Sequence, residues 1–274
     1  RMGSRIFPVG VDNLGDGEGE LSKNASRTGA RGIRRQFFRK KLRKKILLKE
    51  LASLNMCPLT NENFDEWKNT KKFPTQKLAA WFALNPYELR DRALHEKLSF
   101  EEIGRIFYHL IQRRGFLSNS RSAGKDDGAI FKGNPKEGKI GITETQERIQ
   151  DKTLGSYLFE IYPKENQPFQ DGLERIRNRY TTRKMYVDEF ELIWNKQSQF
   201  HSQLTNELKT LFGGRKLDGY KEDGILFHQR PLRSQKHLVG NCSFEPNKTK
   251  CPISAIPFEQ FRVWQWVNTV EYNG

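Results

Sequence analysis

The residues between Arg27 and Lys45 carry the strongest chemical signal in the sequence. Ten of these nineteen side chains are lysine or arginine, and none is acidic. Arginine recurs at every fourth position, and a helix repeats every 3.6 residues, so this spacing predicts one slowly winding stripe of guanidinium groups. The stripe consists of Arg27, Arg31, Arg35, Arg39 and Arg43, and it is flanked by Arg34, Lys41 and Lys45.

A helix face with charges of one sign needs a neutralising partner, because like charges four residues apart repel each other. Arginine binds phosphate oxygens through two parallel hydrogen bonds, which lysine cannot do. The formal net charge of the whole chain is +15, and such a balance is typical of proteins that bind a polyanion. The stripe therefore predicts binding to a nucleic-acid backbone. A solvated basic helix, a localisation-type basic patch and a helix on a membrane surface are the alternative interpretations.

Other kinds of site find little support in the sequence. The three cysteines, Cys57, Cys242 and Cys251, include no CxxC pair and suit a reducing cytoplasm better than a disulfide framework. The five histidines are scattered, and two-metal cleavage of phosphodiesters would need clustered carboxylates. No apolar run approaches the eighteen or so residues of a membrane helix. We expect no catalytic residue, no metal ligand and no cofactor in this chain, and no membrane partner.

The basic stripe must be positioned by helices, since apolar residues recur with a helical period along most of the chain. The first helical pattern runs from about Ile33 to Leu54, and its apolar side chains are expected to dock it on protein: Phe37, Phe38, Leu42, Ile46 and Leu47. Further helices are predicted after Asn85-Pro86, which has the form of an N-cap followed by proline, and after Ser99, where Glu102 completes a capping box. Helical patterns also cover 143–162, 186–212 and 258–271, and Leu110 is expected in the core.

The predicted fold is mainly α, with a long arginine-rich helix joined to an irregular α-helical domain and few short strands. Residues 1–26 form a lead-in strand, over residues 5–11, and a loop, and residues 1–4 resemble the remnant of a tag. Residues 27–56 form the arginine-rich helix. Residues 57–274 form the helical domain, with a mobile loop near 119–143 that is rich in glycine and polar residues.

Several segments resemble the compact type II CRISPR effector nucleases, the II-C group most of all. The segment from Arg31 to Lys45 resembles their bridge helix, and Asn85–Phe116 resembles their first recognition helices. Shorter matches follow in the same order. They are Arg177-Asn-Arg-Tyr-Thr-Thr-Arg183, Gln229-Arg-Pro-Leu232 and Lys236-His-Leu-Val-Gly-Asn-Cys-Ser-Phe-Glu-Pro246.

This resemblance implies that the chain is the bridge helix and part of the recognition lobe of an RNA-guided DNA endonuclease of antiviral defence in the prokaryotic cytoplasm. Members of the family hold the guide–target heteroduplex in a basic channel by its backbone and shape, while base pairing reads the sequence. The partners implied are a crRNA–tracrRNA guide, target DNA and the remaining nuclease domains. The RNA-binding residues implied are Arg27, Arg31, Arg34, Arg35, Arg39, Lys40, Arg43 and Lys44, and beyond them Arg113, Arg114, Arg179, Arg183, Arg230, Arg233 and Lys236.

Two alternatives stay open beside that assignment. Arg113 and Arg114 could instead stabilise the end of the preceding helix through its dipole. The arginine stripe could also be the docking surface of a protein inhibitor of the nuclease, an anti-CRISPR protein whose acidic side chains imitate phosphates. The resemblance implies magnesium at the cleavage sites of the full-length nuclease, whereas the fragment itself is expected not to cut.

Overall fold

The computed structural model describes residues 11–12, 21–22, 24–70, 72–117, 130–134, 136, 139–161, 179–217, 220–229, 239–251 and 255–269. The chain divides into two compact units, Arg1–Gln229 and Arg230–Gly274. The described residues are mainly helical in the first unit, which also contains three separate two-stranded sheets, and the second unit contains one described helix. The mainly α fold predicted from the sequence is therefore confirmed.

The longest helix, α1, runs from Ala25 to Ser53 and contains the whole basic stripe. Only its last turns enter the core, where Leu47, Leu48 and Leu51 are buried. Of the five apolar residues expected to dock this helix, only Leu47 does so. The other four remain exposed to solvent over 43 to 67% of their surface, and they are Phe37, Phe38, Leu42 and Ile46.

The helix ends where Leu54 and Asn55 turn the chain, and Asn55 adopts a positive φ of 55°. Asparagine tolerates this left-handed conformation better than most residues do. Two helices follow that the sequence patterns did not indicate, α2 at Asn61–Thr70 and α3 at Gln76–Ala83. The hydroxyl of Thr75 caps α3 by accepting a hydrogen bond from the backbone N–H of Leu78.

Helices α4 (Pro86–Arg92) and α5 (Phe100–Gln112) begin at the two predicted caps. The side chain of Asn85 accepts from Tyr87 N, and Ser99 and Glu102 make both hydrogen bonds of a capping box. Every residue of α5 from Ile103 to Ile111 is buried. Helix α5 is therefore the central element of the first unit, and α1, α3 and α4 all contact it.

The remaining elements of the first unit are short. A hairpin of β3 (Gly133–Asn134) and β4 (Lys139–Ile140) lies within the segment expected to be a loop, and α6 (Ile142–Ile149) and α7 (Leu154–Ile161) follow it. The helical pattern of 186–212 is interrupted, since α8 (Arg183–Gln197) and α9 (Asn206–Gly213) are separated by turns at 198–205. A second hairpin pairs β5 (Gly214–Leu217) with β6 (Tyr220–Asp223).

Helices α7, α8 and α9 contribute aromatic side chains to the core that α1, α3, α4 and α5 begin. The ring of Phe107 on α5 lies parallel to the ring of Trp194 on α8, with 5.9 Å between their centroids. Phe107 also packs at 5.0 Å against Phe212 on α9. One aromatic cluster therefore joins the first helices of this unit to the last ones.

In the lead-in segment, β1 (Val11–Asp12) pairs with β2 (Leu21–Ser22) in antiparallel register. The rest of the strand predicted over residues 5–11 lies outside the described residues. In the second unit the backbone of Asn241 pairs with Thr249, and α10 runs from Ile256 to Thr269. No helix among the described residues is both long enough and apolar enough to cross a membrane.

Candidate nucleic-acid interface

The eight basic residues predicted to bind RNA between Arg27 and Lys44 all lie on α1. Six of them are exposed, while Arg43 and Lys44 are half-buried. Between Ala25 and Lys49 the helix contains no acidic residue. The part of α1 that lies outside the core is therefore positively charged and exposed to solvent.

Arg43 lies where this exposed part of α1 meets the body of the first unit. Partial burial, reinforced by the positive charge of Arg39, lowers the pKa of Arg43, and burial together with Lys40 lowers the pKa of Lys44. The Nε atom of Arg43 is enclosed, and no hydrogen-bond partner for it occurs among the described residues. A cation held beside other cations gains stability from an anion placed against it.

A second group of predicted residues converges at the far end of α5. Arg113, Arg114 and Arg179 line one pocket of about 230 Å³ together with Tyr87, Gln112, Gly115, Leu158, Thr181 and Tyr186. Arg113 and Arg114 are half-buried. Arg179 is 6% exposed, and its guanidinium lies 5.2 Å from the centre of the Tyr157 ring. The pocket is thus cationic, and it is large enough to receive a phosphate group or part of a nucleotide.

Gly115 shapes the turn that presents Arg113 and Arg114. Its φ is +68°, and a Cβ at this position would lie 2.2 Å from the carbonyl oxygen of Thr182. The turn approaches this closely because Phe116 N donates to Thr181 O at 2.7 Å and Arg183 N donates to Phe116 O at 2.8 Å. Only glycine combines a positive φ with this contact.

The structure gives Arg183 an internal role, because its guanidinium donates to acceptors of the protein itself. Its Nε donates to the carbonyl oxygen of Arg114 at 2.6 Å, and its Nη1 donates to that of Phe227 at 3.0 Å. Its Nη2 donates to the side chain of Gln229 at 3.2 Å. Arg183 therefore joins the turn after α5 to the segment after β6.

Arg114 reaches the same segment by donating from Nη1 to the carbonyl oxygen of His228 at 2.5 Å. This bond gives Arg114 a partner outside α5, and the alternative in which Arg114 stabilises that helix terminus through its dipole stays an interpretation. The backbone N–H of Arg113 closes the last turn of α5 by donating to His109 O at 3.1 Å.

A buried ion pair lies behind the pocket. Arg90 on α4 and Glu189 on α8 are 0% and 1% exposed, and two hydrogen bonds of 2.5 and 2.6 Å join them. Glu189 also accepts from the backbone N–H of Gly155 on α7 at 2.9 Å, and Nη1 of Arg90 lies 3.4 Å from Nδ1 of His109 on α5. These four helices also carry or precede the pocket residues Tyr87, Leu158, Tyr186 and Arg113, so the pair fixes the walls of the pocket.

The other predicted RNA-binding residues, Arg230, Arg233 and Lys236, lie outside the described residues. Within the parts of the chain that the structure describes, no group of three or more His, Cys, Asp or Glu side chains could hold a metal ion. The described residues therefore supply no site to which the magnesium of a nuclease could be assigned.

No protein-family model matches the chain. A curated protein does, the CRISPR-associated endonuclease Cas9 of Campylobacter jejuni. It is 28% identical to the chain in an alignment of 259 residues that covers 91% of the chain. The chain is homologous to part of Cas9. It spans 23% of the length of that relative.

Solved structures of Cas9 agree with this relationship. A crystal structure of Campylobacter jejuni Cas9 in complex with sgRNA and target DNA superposes with a TM-score of 0.58 and 25% identity over 89% of this chain and 31% of that one. A second structure of the same protein, with a different PAM sequence, gives a TM-score of 0.58 at 24% identity over 91% of this chain and 32% of that one. These neighbours fit the II-C-like type that the sequence resembles.

The sequence patterns did not single out Tyr87, Tyr186 or Gln229, which lie beside the predicted basic residues, or the pair of Arg90 and Glu189. Gly115 was recognisable only as the end of α5. Glycine directly after two arginines was the available signal for a tight turn that presents basic side chains. Arg90 and Glu189 are 99 residues apart in the sequence, so no local pattern connects them.

Proposed function

We propose that this chain binds a guide RNA, and the heteroduplex that the guide forms with target DNA, as the bridge helix and recognition-lobe part of an RNA-guided DNA endonuclease. The observation that carries this proposal is α1, a 29-residue helix whose exposed part is cationic. Its arginines hold RNA phosphates through paired hydrogen bonds. A guide strand held in this way is ordered before target DNA arrives, which lowers the entropy cost of pairing.

The pocket of Arg113, Arg114 and Arg179 is the second contact in this proposal. Its three guanidinium groups bind a phosphate of the guide or of the duplex at the repeat. Arg183 supports the pocket by donating to the carbonyl oxygen of Arg114 in the turn after α5 and to that of Phe227 after β6. The proposal also includes Arg230, Arg233 and Lys236 as RNA-binding residues, which lie outside the described residues.

The domain assignment belongs to the same proposal. Residues 1–26 lead into the bridge helix of 27–56, and residues 57–274 form a recognition domain. The chain itself does not cut DNA. Magnesium, cleavage and reading of the PAM belong to the other parts of a full-length nuclease, which acts in the prokaryotic cytoplasm in defence against viruses.

Binding of the purified chain to a crRNA–tracrRNA guide, beside an unrelated RNA of equal length, tests this proposal. We expect tight, salt-dependent binding to both RNAs, since phosphate contacts do not depend on sequence, with a preference for the guide because of its shape. Equal binding to the two RNAs would contradict the assignment to guide recognition. Weak binding to both would contradict RNA binding altogether.

A second candidate function is the docking of a protein inhibitor on α1. The observation that favours it is the exposure of large apolar side chains beside the arginines, such as Phe37 and Phe38, since contacts with phosphates alone do not require them. An acidic inhibitor on this surface would compete with the guide. Titration of such an inhibitor into the complex of chain and guide tests this function, and release of the guide is the result expected from it.

A further inference from the structure

Three exposed apolar residues of α1 form a row along one side of the helix. Phe38, Leu42 and Ile46 follow each other at intervals of four residues, and they are 67%, 44% and 43% exposed. Side chains at this spacing are neighbours on a helix surface. We refer to these three residues as the apolar seam. They lie on the side of α1 away from Leu47, Leu48 and Leu51, which are buried in the core.

Each residue of the apolar seam has a basic residue three positions before it and another three positions after it. Three residues rotate around the helix axis by roughly 60° less than a full turn. Residues three positions before and three positions after a seam residue therefore lie roughly 60° to either side of it, on opposite edges of the seam. The row three positions before consists of arginine alone, and the row three positions after consists of lysine alone. The arginine row is Arg35, Arg39 and Arg43, and the lysine row is Lys41, Lys45 and Lys49.

A surface with an apolar centre and two cationic edges matches the minor groove of an A-form duplex. That groove is wide and shallow, it displays base edges and the ribose rings with their 2′-hydroxyls, and a row of phosphates borders it on each side. Contact between apolar side chains and the C–H groups of ribose costs little free energy, and the two basic rows can reach the two phosphate backbones. A single RNA strand offers only one row of phosphates, so the basic row on the other edge of the seam would have no phosphates to bind.

We propose that the apolar seam of α1 lies against the minor groove of an A-form duplex, with the arginine row on one strand and the lysine row on the other. This inference rests on the proposed RNA binding and adds to it the form of the ligand. A protein partner would need acidic side chains along both edges of an apolar ridge, whereas any RNA duplex has this charge pattern by its construction.

Phe38 has a matched control in its neighbour Phe37. Both are phenylalanines on α1, they are 67% and 66% exposed, and they lie on different sides of the helix. Ile33, which is 55% exposed, lies one turn before Phe37 on the same side. The variant of the seam is Phe38→Ala with Leu42→Ala, and its control is Ile33→Ala with Phe37→Ala. Both variants remove two exposed apolar side chains, so we expect both to fold, which circular dichroism checks.

Binding is measured for three ligands: a duplex RNA, one of its strands alone, and a DNA duplex of the same sequence. We expect the seam variant to weaken binding to duplex RNA by roughly tenfold, because burial of apolar surface is lost. Its binding to the single strand and to B-form DNA should change less than about twofold, and its salt dependence should not change, since apolar groups release no counterions. The control variant should bind all three ligands like the wild type.

Equal losses for the seam variant and its control would overturn the inference, and so would equal losses for duplex and single strand. Unchanged RNA binding by the seam variant would also overturn it and would assign the seam to a protein partner. The double variant Arg35→Ala and Arg39→Ala in the same assay separates this result from failure of the proposed function. If that variant weakens binding and the seam variant does not, RNA binding stands and only the seam inference fails.

Discussion

Glu189 accepts two hydrogen bonds from the guanidinium of Arg90 in the centre of the first unit, at 2.5 and 2.6 Å. Neither side chain is more than 1% exposed. The guanidinium also lies 5.6 Å from the centre of the Tyr87 ring and 5.5 Å from that of Tyr186. The two residues of the ion pair come from helices α4 and α8, so one charge-neutral contact holds together elements that are distant in the sequence.

Removal of one partner of this pair should destabilise the protein strongly. We expect Arg90→Leu to lower the free energy of unfolding by about 3–5 kcal/mol, because the carboxylate of Glu189 is left buried without its counterion. The double variant Arg90→Leu with Glu189→Leu should lose less than Arg90→Leu alone, although Gly155 N also loses its acceptor. Urea unfolding measures these two variants and the single variant Glu189→Leu. A double variant that loses the sum of the two single losses would show that the two charges do not depend on each other.

His109 should make the stability depend on pH in the acidic range. Burial, and after it the charges of Arg90, Arg105 and Arg113, lower the pKa of His109 well below its usual value of 6.5. The unfolded chain therefore takes up a proton as the pH falls through 6.5, while the folded protein does not. Stability falls with decreasing pH by up to about 1.4 kcal/mol per pH unit from this residue.

The variant His109→Gln tests this dependence, because it removes the titrating group and keeps a polar side chain beside Arg90. Urea unfolding between pH 7 and pH 5 should show a shallower loss of stability in the variant than in the wild type. Parallel curves for the two proteins would show that His109 is not the residue responsible.

Leu110 lies on α5 and is 0% exposed, as the sequence pattern predicted. Leu110→Ala should lower the free energy of unfolding by about 2–5 kcal/mol through the lost transfer energy and the cavity left behind. Leu192→Ala is a matched control, since Leu192 is also helical but 52% exposed, and we expect it to change stability by less than about 0.5 kcal/mol. Equal melting temperatures of the two variants would contradict the central place of α5.

The same substitution at two glycines should have opposite effects. Gly115→Ala would place a Cβ 2.2 Å from the carbonyl oxygen of Thr182 at a positive φ, so it should lower the melting temperature and weaken RNA binding by displacing Arg113 and Arg114. Gly29→Ala meets no atom within 4 Å in the exposed part of α1, and it should stabilise that helix by about 0.5–1 kcal/mol. A Gly115→Ala protein that melts and binds like the wild type would exclude the tight turn.

Local patterns predicted much of this fold correctly. The caps at Asn85 and Ser99 and the buried face of α5 follow from residue types within a few positions of each other, and the structure confirms them. The break between α8 and α9 was not predicted, and the contacts of Gln197, the last residue of α8, come from residues that are distant in the sequence. Its side chain donates to the carbonyl oxygens of Ala93 and Glu96, both at 2.7 Å.

The candidate site divides in the same way. The basic stripe of α1 could be read directly from its period of four, whereas the pocket of Arg113, Arg114 and Arg179 depends on backbone pairing between Phe116 and Thr182. Arg183 resembles its basic neighbours in the sequence, and only the carbonyl groups around it reveal its internal role. Five apolar residues of α1 were expected to face protein, yet only Leu47 does so, because the other four precede the turns of the helix that enter the core.

The salt dependence of RNA binding by the variant Arg35→Ala with Arg39→Ala tests the central claim most directly. Its control is Lys77→Ala with Lys184→Ala, two exposed lysines that already pair with Glu101 and Asp188. If α1 holds RNA phosphates, loss of two contacts should reduce the slope of log K against log salt by roughly 1.4 to 1.8, for every RNA sequence alike, while the control keeps the wild-type slope. An unchanged slope in the α1 variant, or a loss confined to one RNA sequence, would contradict phosphate binding by this helix.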